Sequence, residues 1–253
     1  MGTAVVTGSA SGIGNEIRKQ LEAQGDRVVG IDLRNAEVEA DLSSAEGRRK
    51  AIDGALEQSG SEIDRLVVAA GLGGHVEDLE ALTSVNYFGA VELLDGLRPA
   101  MDGRPGAAAV AICSNSAQLA PLDEHPYVVA LLDHDEERAR ELASELGPMA
   151  YGASKHAVTR AMRRRSQEWA KVGVRINGIA PGPTQTPMLQ GTIDHPVIGK
   201  YFEQMEIPIG RRGTPEEIAG IVVFLLSEAA GFVHGSIFYA DGGQDAMTRP
   251  DKF

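Results

Sequence analysis

Tyr151-Gly-Ala-Ser-Lys155 places a phenol and an ammonium at positions i and i+4. On a helix these share one face, one turn apart. A tyrosine loses its proton near pH ~10 and is a poor base at neutral pH. A neighbouring ammonium favours the phenolate and lowers that value, so the pair makes chemical sense as an acid/base. Taken alone, Tyr-x-x-x-Lys is common as a purely structural pattern; position must give it weight. Ser114 and Ser116 follow an apolar run at 107–112 and can donate hydrogen bonds to a substrate oxygen. Ser114 stands directly at the end of the run and is the stronger candidate. Ser116 either lines a pocket or satisfies a turn.

A second constellation lies near the N-terminus, in Thr7-Gly-Ser-Ala-Ser-Gly-Ile-Gly14. Gly8 permits a tight turn, Gly12 lets the backbone approach a pyrophosphate, and Gly14 lets a helix pack closely on a strand; Ser11 and Ile13 belong to the same turn. A helix N-terminus offers unpaired N–H groups and a positive dipole end to phosphate. A lone glycine motif is also compatible with a merely flexible turn, but a strand precedes this one and a helix follows it. Asp32 comes about 20 residues later, where a carboxylate accepts both hydroxyls of an adenosine ribose and repels a 2′-phosphate. No Arg or Lys lies inside the turn, and Arg34 is two residues beyond Asp32. The expected cofactor is NAD rather than NADP.

These residues need elements to hold them. Residues 3–7 form a short β-branched run of the kind buried in parallel sheets. Ile13, Ile17 and Leu21 recur at helical spacing up to Gly25, and 27–31 read as a second strand, completing a βαβ unit. The alternation continues: helix at 44–58, strand at 65–69, helix at 82–97 carrying Asn86, strand at 107–112, helix at 151–171, strand at 174–179, helix at 215–226 and strand at 236–239. Such alternation predicts a doubly wound parallel sheet. Two segments break it, 121–148 and 183–212. The second carries Met188, Leu189, Ile193, Val197, Ile198, Tyr201, Phe202 and Met205, spaced as in an amphipathic lid.

Composition sets limits. The chain of 253 residues has a net charge of -12, which opposes polyanions, so nucleic acid and anionic membrane are not expected partners. No apolar run approaches the ~20 residues needed to cross a bilayer, and no targeting segment is visible; a cytoplasmic enzyme is expected. Cys113 stands alone in an apolar run and reads as a buried filler. The six histidines are scattered without metal-ligand spacing, so no metal is expected.

Taken in order, Thr7-Gly-x-x-x-Gly-Ile-Gly14, Asp32, Asp41-Leu42, Ala69-Ala-Gly71, Asn86, Ser114, Tyr151-x-x-x-Lys155, Pro181-Gly182 with Thr186, and Asp241-Gly-Gly243 resemble the short-chain dehydrogenase/reductase family over nearly the whole chain. The resemblance implies a single-domain Rossmann-type α/β fold over residues 1–253. It further implies that Asp41 and Leu42 contact the adenine, that Gly71 lies along the cofactor with Pro181 and Gly182 also at its site, and that Thr186 meets the nicotinamide carboxamide. Asn86 would hold a water extending a proton path from Lys155, and Ser114 would bond the substrate oxygen beside Tyr151. Ala69-Ala70 depart from the two asparagines common in the family, which puts some strand-to-strand bonding there in doubt. The implied reaction is NAD-dependent interconversion of a secondary alcohol and a ketone. A bulky apolar molecule, such as a hydroxysteroid or an aromatic or cyclic ketone, would suit an apolar pocket. An NADP-dependent carbonyl reductase is the nearest alternative. A non-catalytic dinucleotide sensor would not need Asn86, Ser114, Tyr151 and Lys155 together. A sugar epimerase shares the Tyr/Lys pair but usually needs a longer chain.

The family's usual Ser-to-Tyr spacing is 13 positions, whereas Tyr151 lies 37 after Ser114, implying an insertion of 24 residues. Tyr127 stands at the shorter spacing, but no lysine follows it in register, so it is a decoy. Within the helical insertion at 121–148, Asp133 is expected to cap a helix and Glu136 to pair with Arg140 on its outer side. Ala139, Leu142, Ala143 and Leu146 form an apolar stripe that must be buried against the same domain or a partner chain. Because relatives often build one tetramer interface with the tyrosine helix, the insertion predicts a homodimer instead, joined through 215–239. The alternative is that the insertion folds over the substrate cleft.

Overall fold

The computed structural model describes residues 2–118 and 120–252; Met1, Leu119 and Phe253 of the expected 1–253 domain lie outside that description. In chain order the elements are β1 (Thr3–Thr7), α1 (Gly12–Ala23), β2 (Arg27–Asp32), β3 (Val38–Glu39), α2 (Ala45–Ser59), β4 (Arg65–Val68), α3 (Leu79–Thr83), a π-turn (Ser84–Phe88) and α4 (Gly89–Leu97). There follow β5 (Ala108–Ile112), a 3₁₀ turn (Asn115–Gln118), α5 (Pro126–Leu132), α6 (Glu136–Leu146), α7 (Met149–Lys171), β6 (Arg175–Pro181), α8 (Pro187–Asp194), α9 (Ile198–Glu203), α10 (Pro215–Leu226), β7 (Ile237–Ala240) and α11 (Gln244–Thr248).

All seven strands are parallel, in the order β3-β2-β1-β4-β5-β6-β7. Each inner strand is covered on both faces, which explains its largely apolar sequence, with the buried Asn177 of β6 an exception. Alternate residues serve opposite cores. Val5, Leu66, Ala109 and Ala111 face the side packed by α2, α4 and α7. Ala4, Val6, Val67 and Val110 face α1 and α10. The order reverses between β1 and β4, and at this switch point the carboxyl ends of the strands open a crevice.

The expected alternation holds, with three departures. The two-residue strand β3 was too short to leave a period. The helix expected at 82–97 is broken by the π-turn at Ser84–Phe88, a distortion often found at functional positions. α11 follows Gly243, whose left-handed φ of 93° starts it, and has too few residues for a visible stripe.

The insertion folds onto its own domain. Ala139, Leu142 and Ala143 are buried in the core shared with α7, and α6 packs against α3 and α5. Two local expectations fail here. Asp133 ends α5; the residue that caps α6 is Asp135, whose carboxylate accepts from the Arg138 N–H at 3.0 Å. Glu136 does not pair with Arg140. It binds Arg48 of α2, which is 1% exposed and also bound to Glu92 of α4 at 2.8 Å. Arg140 lies 3.5 Å from Glu80 instead. An unpaired buried guanidinium is costlier than a lost surface pair, so Arg48 claims the carboxylate. Tyr127 is fully buried, with its hydroxyl 2.9 Å from that of Thr83, and burial pushes its pKa up to about 12. It is a core residue, as its decoy status implied. Cys113 is buried and unpaired.

Candidate active site

A cavity of about 1220 Å³ runs along the carboxyl ends of the strands. Its lining includes Gly8, Ser11, Gly12, Ile13, Gly14, Asp32, Asp41, Leu42, Gly71, Pro181, Gly182 and Thr186 at one end, and Ser114, Tyr151 and Lys155 further along.

The glycine turn is held by contacts no side chain would permit. Gly8 has φ of 68°, and a Cβ on it would stand 2.9 Å from the Ala70 backbone; a Cβ on Gly14 would stand 2.2 Å from the Gly8 carbonyl oxygen. Thr7 binds the turn to β4: its Oγ1 accepts from the N–H groups of both Ala69 and Ala70 at 2.9 Å. The alanines in place of asparagines therefore leave the β1–β4 link intact. α1 begins in this turn. Its N-cap Ser11 makes no side-chain cap and its first turn carries no acid, so its N–H groups and positive dipole end are available to an anion. Asp32 completes this end; its two oxygens accept from Ala10 N at 2.9 Å and Leu33 N at 2.7 Å. Arg34 is not among the lining residues, and Arg18 is bound to Glu22 and Glu37. A dinucleotide with an unphosphorylated ribose fits these residues.

Farther in, Tyr151 and Lys155 share one face of α7. The Lys155 ammonium donates to the Ile112 carbonyl oxygen at 3.0 Å. Burial pushes its pKa down, and burial pushes the Tyr151 phenol up while the Ser114 hydroxyl opposes that rise. The lowering expected of Tyr151 from its lysine neighbour is not seen: desolvation dominates, Ser114 is the group that opposes it, and the ammonium is engaged with the β5 carbonyl. Gly71 keeps this corner open. A Cβ there would lie 3.2 Å from Asn86 Oδ1 and 3.4 Å from Lys155 Nζ.

Asn86 does not line the cavity and is 0% exposed. Its Oδ1 accepts from Leu72 N at 2.7 Å, and its Nδ2 donates to Leu72 O at 3.0 Å and Ser154 Oγ at 3.2 Å. The side chain ties the loop after β4 to α7.

The remaining walls are apolar. Leu122, Pro148 and Met149, from the ends of the insertion and the start of α7, face Met188, Leu189, Val197, Ile198, Tyr201, Phe202 and Met205 of α8, α9 and the segment after them. Ile193 is not in this wall. The segment expected as a lid is two short helices. It is tied to the loop after β4 by His75 Nδ1, 3.0 Å from Thr192 Oγ1. Thr192 gives its hydrogen to Met188 O, so the histidine is the donor. The sequence reading missed His75 and also missed Gln244, Met247 and Thr248 of α11, which reach the cavity; Gln244 accepts from Asn115 Nδ2 at 2.9 Å. The Gly242-Gly243 pair was the available signal of a sharp turn aiming that helix inward.

Known proteins share this fold. A family model described as short chain dehydrogenase matches residues 2–130, and one described as Enoyl-(Acyl carrier protein) reductase matches 138–245. A 3-alpha-hydroxysteroid dehydrogenase/carbonyl reductase of Comamonas testosteroni is 44% identical over 257 residues, covering 100% of both chains. A coniferyl-alcohol dehydrogenase of Pseudomonas sp. (strain HR199 / DSM 7063) is 31% identical, covering 94% of each. The crystal structure of the 3-alpha-hydroxysteroid dehydrogenase from Pseudomonas sp. B-0831 complexed with NADH superposes with a TM-score of 0.96 at 41% identity, covering 99% of this chain and 100% of that one. Agreement from end to end, on a fold that brings Tyr151, Lys155 and the glycine turn into one cleft, means that this chain belongs to the short-chain dehydrogenase family of oxidoreductases.

Proposed function

We propose that this chain is an NAD-dependent oxidoreductase that interconverts a secondary alcohol and a ketone on a bulky apolar substrate. The observation that carries the reading is the single cavity joining the glycine turn and Asp32 to Ser114, Tyr151 and Lys155, and then to the apolar walls of the lid. The NADH bound to the Pseudomonas relative and the names of the relatives support the cofactor and the reaction class.

Bound NAD supplies the hydride acceptor, and its reduced form the donor. In oxidation the alcohol oxygen sits between Ser114 and Tyr151, and the Tyr151 phenolate takes its proton. In reduction the phenol returns that proton to the carbonyl oxygen. Ser114 donates a hydrogen bond to the same oxygen in both directions, where charge develops. Lys155 supports Tyr151 from the next turn of α7, Gly71 leaves room for the cofactor beside it, and Asn86 fixes the loop that places Gly71. The lid excludes water from the reacting atoms.

The test is NADH absorbance during incubation with NAD and a panel of secondary alcohols, set beside consumption of NADH by ketones. Hydroxysteroids are expected to give higher kcat/KM than small aryl alcohols, because they fill the lid walls. No turnover with any alcohol or ketone would favour the sensor reading.

We also propose a homodimer through α10 and β7. β7 is an edge strand with half-buried apolar residues, and Phe224 and the fully exposed Phe232 lie on the same stretch of chain. α5 and α6 pack along α7, where a tetramer of the common kind would form its other contact.

A further inference from the structure

Ser116 lines the cavity, yet the reaction as proposed gives it no part. Its hydrogen bonds explain why it is there. Ser114 Oγ receives two donors from this one residue, the Ser116 N–H at 3.2 Å and the Ser116 hydroxyl at 2.9 Å. A serine hydroxyl has two acceptor positions and one hydrogen. With both acceptor positions filled, Ser114 has only its own O–H left to offer.

The turn that holds this pair is docked on the helix bearing the phenol. The Ser116 carbonyl lies against Gly152, next to Tyr151, where a Cβ would come within 3.1 Å of that oxygen. One turn further along α7, His156 Nδ1 is 2.8 Å from the Ala117 carbonyl oxygen, which can only accept, so the ring carries its hydrogen there. Ser114, Ser116 and Tyr151 are thus parts of one rigid unit, and a small rotation of the Ser114 hydroxyl would break the arrangement before any backbone moved.

We propose that Ser116 is a positioning residue for the alcohol–ketone interconversion. It fills the acceptor sites of Ser114, so that the Ser114 hydroxyl acts only as a donor to the substrate oxygen. A substrate alcohol entering the site then finds no acceptor on Ser114 and must give its proton to Tyr151. This inference rests on the reading that Ser114 and Tyr151 flank the substrate oxygen.

The experiment compares Ser116→Ala, Ser116→Thr, Ser114→Ala and the double variant Ser114→Ala/Ser116→Ala, measuring kcat and KM in both directions and NADH binding by fluorescence. Retained NADH binding shows that each variant is folded. Ser116→Ala is expected to lower kcat about tenfold with NADH binding unchanged, a loss the size of one misdirected hydrogen bond. Ser116→Thr keeps the hydroxyl and is expected to recover most of it. The double variant is expected to be no slower than Ser114→Ala alone, because Ser116 acts only through Ser114. A Ser116→Ala rate within about twofold of the parent would overturn the inference, as would a double variant a further tenfold slower than Ser114→Ala, which would mean that Ser116 touches substrate itself. An unimpaired Ser114→Ala would instead remove the underlying reading of the site.

Discussion

Asp32 spends only one acceptor position of each carboxylate oxygen on backbone, through Ala10 of the glycine turn and Leu33, which leaves others for a ribose. Asp32→Ala is therefore expected to raise KM for NAD and to narrow the preference over NADP by about tenfold or more. Steady-state kinetics with both cofactors check this, and an unchanged ratio would show that Asp32 does not read the ribose. Tyr151 sets a pH dependence of definite sign. Burial raises its pKa, and only the deprotonated form accepts a proton from an alcohol. Oxidation should accelerate as pH rises toward that value, and ketone reduction, which needs the protonated phenol, should slow over the same range. The profile of kcat/KM in each direction is the measurement; an oxidation rate that fell with alkalinity would contradict the assignment. Tyr151, Lys155, Ser114 and the glycine turn were legible in the sequence because their meaning lies in residue type and short spacing. The engagement of Asn86 with Leu72 and Ser154, and of Ser116 with Ser114, depends on how loops meet α7, and no local pattern announces it.

The parallel strands could be read because burial on both faces leaves no polar period to confuse with a helix. The insertion could be recognised by spacing and by its apolar stripe, yet its electrostatics could not. Local rules pair Glu136 with Arg140 one turn away; the folded chain instead gives Glu136 to Arg48, brought from α2 by the packing of α2 on α4. Arg48 also donates to the carbonyl of Leu42, which lines the cavity, and lies 5.7 Å from the Phe88 ring centroid. One guanidinium thus joins α2, α4, α6 and the Leu42 end of the cleft. Arg48→Leu would leave Glu136 without its guanidinium and Glu92 with only His134, 3.7 Å away, both carboxylates about a quarter exposed. The expected cost is about 3 kcal/mol, the lower end for a broken buried pair, because water still reaches the acids. Glu136→Gln, which keeps a partial partner, should cost about 1 kcal/mol. Urea denaturation measures both; an Arg48→Leu midpoint equal to that of the parent would mean that the network carries no net stability.

As a whole the molecule is a strongly acidic chain with a net charge of -12, and none of the helices among its described residues is long and apolar enough to cross a membrane. Its exposed apolar surface includes two places that suit different roles. Val197, Tyr201 and Met188 stand on the α8–α9 segment at the cleft, where the proposed apolar substrate would cover them; Phe224 and Phe232 stand on the α10–β7 side, where the proposed second copy would. Light scattering at micromolar concentration should give the mass of two chains, and Phe232→Asp should reduce it to one; a mass of four chains would contradict the dimer. Tyr151→Phe tests the chemistry of the cleft most directly, because the ring still fills its place while the transferable proton is gone. The measurement pairs NADH absorbance, using the best alcohol of the panel, with an NADH titration by fluorescence. A kcat lowered by about a hundredfold or more, with NADH binding nearly unchanged, is the expected result. A variant that kept more than about a tenth of the parent kcat would show that Tyr151 is not the proton-transfer residue.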